Sequence, residues 1–433
     1  MALVLSALAV VPSSALAHGR FPATNQIVFH PTDPNQIAAR TTFGLLLSAD
    51  AGLSWQWVCR EIVNLSLLDD PALLLFNDDR IALGTFDGLQ QSPDRGCSWD
   101  FVNETLDGLS IYDLDGDPND PARAIAVSSS GNAANRVFET LDGGETWAST
   151  EQPIADVGYL PENARIAPSQ PQRIYVSGSH LASEDSPRRP TVYRSDDGGA
   201  TWTGFGVTLP EVNRTLFILA VSPTDPDLVV MKANIGRGLE GPERLYRSED
   251  GGETWEEILS ETLIPSAAFN EDGSTLWVAA QGTNSLYRSD DDARTLVPVE
   301  TTLTVNCVET RGNDLWLCTE NFLDGAAIHI SDDSGASFRP MLDFQRDITG
   351  IAACAEGTPT PLACEAPLDD LVRDLGLADL GMFPDGGMSP MQPIPSTPPE
   401  GCGCAVPGSI AADGKVLGLF VALALALLGR RRR

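Results

Sequence analysis

The chain is expected to fold as an all-β protein, a single seven-bladed β-propeller of four-stranded blades. Three observations predict it. One short motif, clearest as Ser248-Glu249-Asp250-Gly251-Gly252-Glu253-Thr254-Trp255, recurs seven times, at residues 48–55, 92–99, 140–147, 195–202, 248–255, 289–296 and 331–338. Its start-to-start spacing runs from 41 to 55 residues, the length of one four-stranded blade. The stretches between copies alternate apolar and polar residues between Pro, Asp and Gly turns, as strands do.

The motif reads Ser/Thr-x-Asp-x-Gly-x-Ser/Thr-aromatic. Its aspartates are Asp50, Asp94, Asp142, Asp197, Asp250, Asp291 and Asp333, and its tryptophans Trp55, Trp99, Trp147, Trp202 and Trp255. The sixth copy has lost the Gly and the Trp, and the seventh has Phe338 in place of Trp. A tight hairpin needs a residue that tolerates positive φ, which Gly252 supplies. The Asp carboxylate and the flanking hydroxyls can bond backbone amides within the turn, and the aromatic plugs the apolar layer of its blade. Seven equivalent aspartates around a ring make seven structural turns rather than one active centre or calcium site. The motif resembles the Asp box, or BNR repeat, of bacterial sialidases, some endoglucanases, sortilin-type receptors and the photosystem II stability factor family. That resemblance implies a propeller. It does not choose a function, because the group mixes enzymes, receptors and assembly factors.

In chain order, residues 1–17 read as a secretory signal peptide, with an apolar run and Ala15-Leu16-Ala17 as an A-x-A cleavage site. Residues 18–345 hold the propeller. Blade one is expected to place its inner strand at 27–29, its second at 37–40, its third at 44–48 and its fourth at 54–59. The Pro-x-Asp-Pro turn that follows the inner strand returns at 118–121 and 223–226. Asp113-Leu114-Asp115-Gly116-Asp117 has the alternating carboxylates of a calcium loop, but its position matches an ordinary turn between strands, and a turn is expected. Arg20-Phe21-Pro22 resembles the Arg-x-Pro motif of sialidases; without a convincing arginine triad or a Tyr-Glu pair, an edge-packing Arg is expected.

Eight cysteines fit an oxidising compartment. Centring a hairpin on Gly312-Asn313 sets Cys307 opposite Cys318, at the separation a bridge needs. Cys354 and Cys364 close a short Pro-rich loop, and Cys59 and Cys97 remain to meet at a rim of adjacent blades. Spacing alone leaves this connectivity open. No His accompanies any pair at ligand spacing, so neither a metal site nor a cofactor is expected. Residues 346–380 are expected to form a disulfide-pinned cap, with one more inner strand at 348–354 and an amphipathic helix over 367–380. Residues 381–401 read as a Pro/Gly-rich linker.

The tail, 402–433, orders Cys402-Gly403-Cys404, an apolar run over 416–428 and Arg430 to Arg433. It resembles the myxobacterial sorting tail called MYXO-CTERM. The resemblance implies a membrane-inserted helix, cleavage by a sorting protease near Cys402 and Cys404, transient anchoring in the inner membrane and display on the cell surface.

A net charge of −32 excludes nucleic acid as a partner, since phosphate binding needs a basic surface. With no isolated catalytic constellation, the expected function is a monomeric, surface-anchored, non-catalytic propeller that binds a protein or polysaccharide. The alternatives are a sialidase-like or endoglucanase-like glycoside hydrolase and an envelope assembly factor.

Overall fold

The computed structural model describes residues 21–65, 70–102, 106–183, 186–210, 214–235 and 241–377. The segments expected to be a signal peptide, a linker and a sorting tail, with Arg20, lie outside the described residues. Seven sheets succeed one another along the chain. Blade 1 is Thr24–Phe29, Ile37–Thr41, Gly44–Ser48 and Trp55–Cys59; blade 2 is Ala72–Leu75, Ile81–Thr85, Gly88–Ser92 and Asp100–Phe101. Blade 3 is Ile111–Gly116, Ala124–Ser128, Val137–Thr140 and Ala148–Ser149; blade 4 is Tyr159–Ile166, Ile174–His180, Arg189–Ser195 and Thr203–Gly206. Blade 5 is Arg214–Val221, Val229–Ile235, Glu243–Ser248 and Glu256–Glu261; blade 6 is Ala267–Phe269, Leu276–Ala279, Leu286–Ser289 and Val297–Pro298. Blade 7 is Val305–Arg311, Asp314–Thr319, Ile328–Ser331 and Arg339–Leu342. Each is an antiparallel meander, and the seven-bladed propeller read from the motif spacing is the fold.

Middle strands such as Gly44–Ser48 and Ala124–Ser128 are buried at every residue, because each blade is covered on both faces by its neighbours. The core accordingly lies between blades. Among the described residues, seven apolar clusters fill seven interfaces. Phe76 and Leu89 of blade 2, for example, pack with Ile111, Ala126 and Trp147 at the junction with blade 3.

Blade 7 meets blade 1 without exchanging a strand in its four-stranded core. Ile348–Ile351 instead crosses to blade 1 and pairs in parallel with Trp55–Cys59, setting Ile348 against Trp55. The inner strand expected at 348–354 is thus a fifth, outermost strand. Its apolar residues serve the edge of the first blade, not the axis. The helix after it runs Pro359–Leu375, eight residues earlier than the expected start at 367. Its early prolines read as a loop in sequence, yet Pro359 occupies the first helical turn, where amides have no intrahelical partner. Only Pro367 removes an interior donor. Cys364, Leu368, Leu371 and Leu375 form its buried face, which joins Trp55, Trp57, Trp316 and Phe344 in the cluster between blades 7 and 1.

Three disulfides form. Cys307–Cys318 pairs directly across the Gly312-Asn313 hairpin as expected. The other two do not close local loops: Cys59 joins Cys364 and Cys97 joins Cys354. The pairings Cys59 with Cys97 and Cys354 with Cys364 are therefore corrected. The physical reason is the return of the chain, which brings each C-terminal cysteine onto a different N-terminal blade.

Candidate functional site

The antiparallel meander sorts loops between the two ends of the propeller. The repeated turn joins third to fourth strands, and the Pro-x-Asp-Pro turn joins first to second; both fall on one face. Links between blades, and from second to third strands, fall on the other, here termed the loop face.

On the turn face, Asp250 Oδ1 accepts from the Ser248 hydroxyl at 2.8 Å and the Thr254 amide at 2.9 Å, while Oδ2 accepts from the Thr254 hydroxyl at 2.6 Å. Asp50, Asp94, Asp142, Asp197, Asp291 and Asp333 accept the same three donors. Two successive residues take positive φ in each turn: Gly251 and Gly252 at 69° and 88°, and Asp292 and Ala293 at 59° and 61° where the glycines are lost. Trp55 is fully buried and Trp147 nearly so, while Trp99, Trp202 and Trp255 are partly buried.

Exposed apolar side chains gather on the loop face. Phe21, Phe86, Tyr112, Val157, Leu181, Leu263, Phe322 and Leu323 are all exposed there. Phe86 meets Tyr112 edge-on at 5.6 Å, and Phe21 meets Phe322 at the same distance. The loop-face mouth of the axial channel is a cavity of about 340 Å³, whose lining includes Tyr112, Glu162, Phe217 and Lys232. Burial pushes the Glu162 carboxyl up to about 7, against the pull of Arg188 at 3.5 Å. Burial also lowers Lys232, whose ammonium donates to the Ile264 carbonyl at 2.9 Å and lies 3.5 Å from Glu243.

Below this mouth lies a charged zone shared by two cavities, here termed the waist. Asp113, Arg165 and Glu309 line both the loop-face mouth and the wider cavity beneath it. Asp113 accepts from Arg165 Nη1 at 2.5 Å and from the Ala164 amide at 3.2 Å. Asp115 accepts from the Ile166 amide at 2.7 Å. Burial drives Asp115 up to about 7, with Arg165 opposing, and does the same to Glu309. Among the described residues no hydrogen bond or ion pair reaches the Glu309 carboxylate.

One expectation changes here. Asp113 to Gly116 belongs to the inner strand of blade 3, and only Asp117 begins the turn. Alternate carboxylates on a strand face one side, so Asp113 and Asp115 both reach the first strand of blade 4. No group of three or more His, Cys, Asp or Glu among the described residues could hold a metal ion. Sequence reasoning missed Arg165, Glu162, Glu309 and Lys232, which come from blades 4, 7 and 5 and meet only when the ring closes. Polar residues interrupting apolar strands, inner ones for Glu162, Arg165 and Glu309 and the second of blade 5 for Lys232, were the one available signal.

No family model matches this chain, and no curated protein matches it. Among solved structures, an ancestral GH74 enzyme aligns at 15% identity and a TM-score of 0.54, over 75% of this chain and 47% of that one. The chain therefore spans about half the length of that enzyme. A GH74 xyloglucanase from Xanthomonas campestris aligns at 16% identity over 79% of this chain and 66% of its own, with a TM-score of 0.33. YCF48 bound to D1 peptide aligns at 17% identity over 62% and 80%, with a TM-score of 0.40. At such identities the likeness to the first of these structures bears on the fold alone, and that fold is the β-propeller.

Proposed function

We propose that the protein is an exported, non-catalytic propeller that binds a protein or glycan partner across its loop face. The observation that carries this reading is the asymmetry of the two faces. Eight exposed apolar side chains lie on the loop face, against Leu53 and Leu141 on the turn face, whose turns are otherwise built from hydrogen-bonded Asp, Ser, Thr and Gly. Exposed apolar groups gathered on one face and rimmed by polar residues mark interaction surfaces, and aromatic anchors such as Tyr112 and Phe86 dominate binding energy at such surfaces. The three disulfides fit an oxidising, extracellular setting. Kinship with the Asp-box group, the signal peptide and the sorting tail belong to the same proposal.

The waist argues for binding over glycan cleavage. Glycoside hydrolysis needs two free carboxyl groups across the scissile bond. Within the waist, Asp113 and Asp115 are instead engaged by Arg165 and by the backbone of blade 4, which leaves Glu309 there, while Glu162 at the mouth faces Arg188.

The test uses secreted protein, a panel of soluble polysaccharides and an immobilised cell-envelope fraction. Saturable binding without reducing-sugar release is expected. The double substitution Phe86→Ala with Tyr112→Ala should weaken that binding at least about tenfold, the loss of roughly 1.4 kcal/mol per decade, with little change in melting temperature. Sustained sugar release from any member of the panel would overturn the reading in favour of a hydrolase.

A further inference from the structure

The turn face opens into a cavity of about 780 Å³, within the size range of small-molecule sites. Its wall is apolar where it is half exposed, at Val28, Leu74, Leu219 and Ala268. Its floor is the charged waist, where three carboxylates face one guanidinium. Arg165 is already engaged by Asp113, and the Asp115 carboxylate accepts the Ile166 amide. Glu309 alone has no donor among the described residues, and it is half exposed on the cavity wall, where a ligand can reach it. An anionic ligand would be repelled by this floor, and a neutral one would leave Glu309 with only the through-space pull of Arg165, which Asp113 already shares.

We propose that this funnel is a second ligand site, for a small amphipathic cation that lays its apolar body on Leu74 and Leu219 and donates its ammonium hydrogens to Glu309. The site opens at the mouth opposite the loop face, and its apolar wall at Leu74 and Ala268 belongs to that mouth alone, although Glu309 lines both cavities. Burying the apolar body supplies non-directional affinity. The charge-assisted bond to Glu309 supplies selectivity, because an ammonium offers donors where the floor lacks them.

The experiment titrates the whole secreted protein with phenethylamine, phenethyl alcohol and phenylacetate by calorimetry at pH 8. One phenethylamine per chain is expected, bound at least tenfold more tightly than the alcohol, with no heat from phenylacetate. Glu309→Gln should remove the preference for the amine and leave the alcohol unchanged. Ala268→Phe narrows the funnel without touching its charge, and should weaken amine and alcohol alike. This second variant keeps the test decisive if Glu309→Gln does not fold. The proposal is overturned if amine and alcohol bind equally to the parent, if neither binds at millimolar concentration, or if amine binding survives Ala268→Phe undiminished. Polysaccharide and envelope binding, measured on Ala268→Phe, should not move, because Ala268 lines the turn-face cavity and not the loop-face mouth, so failure of this site and failure of the loop-face reading are separable.

Discussion

A single carboxylate in each repeated turn collects two hydroxyl hydrogens and one amide hydrogen, and this has a consequence in acid. Burial pushes Asp50 and Asp250 up, but the hydroxyls and amides of Ser54 and Thr254 outweigh it. At Asp142 and Asp197 the hydroxyls of Thr146 and Thr201 lead, and both fall below the usual carboxylate range. Thr295 and Ser337 hold Asp291 and Asp333 down at about 2. Depressed carboxyls contribute stability above their unfolded value near 3.8 that is lost as pH falls toward 2. Asp115 and Glu309 act oppositely. Their folded values near 7 exceed the unfolded ones, so the native state binds more protons between about pH 4 and 7 and gains stability as pH falls through that window. Melting temperature should therefore rise from pH 8 to about 5 and drop below about 4. Glu309→Gln should flatten the upper limb, and Asp291→Asn part of the lower one. A flat profile from pH 8 to 5 in the parent protein would show that the waist carboxyls titrate normally.

The closing strand and helix form an element the repeat does not contain. Ile348–Ile351 adds to the outer edge of blade 1, and Pro359–Leu375 covers the junction between the last blade and the first. Thr360 donates to the Gly96 carbonyl at 2.6 Å, tying the helix to blade 2. Two disulfides spanning 305 and 257 residues then make the return covalent. A cross-link restricts the unfolded chain more when it closes a longer loop. Replacing Cys59 and Cys364 by Ser should thus cost roughly 2–5 kcal/mol. Replacing Cys307 and Cys318, only 11 residues apart, should cost less. Urea unfolding of the two double variants checks the order; equal midpoints would mean that the helix and strand close the ring without the bridge.

At the scale of the molecule, the propeller presents two unlike faces, an apolar loop face and a hydrogen-bonded turn face with a funnel at its centre. In the proposed reading, display of those faces outside the cell would depend on residues 402–433, which lie outside the described residues. In the sorting proposal, an apolar run of about thirteen residues is short against the ~20 that span a bilayer. Arg430 to Arg433 stay inside because moving four charges through hydrocarbon is expensive. Mass spectrometry of surface protein should find Arg430 to Arg433 missing, and Cys402→Ala or Cys404→Ala should trap an uncut form in the inner membrane. Full-length protein recovered from the exposed surface would leave a simple anchor instead.

Period and turn chemistry were local, and so they were legible from residue order. The motif spacing determined seven blades, the positive-φ and hydroxyl requirements determined the turns, and the Gly312-Asn313 turn determined the register that joins Cys307 to Cys318. Ring closure was not local. The partners of Cys59 and Cys97, the outer position of Ile348–Ile351 and the early start of the helix depend on contacts between the two ends of the chain. The waist was hidden for the same reason. Asp113, Arg165 and Glu309 lie on strands of blades 3, 4 and 7, and a strand's alternation says which residues share a face but not which blade they look toward. Only closing seven blades about one axis brings those three charges together and leaves Glu309 without a donor among the described residues.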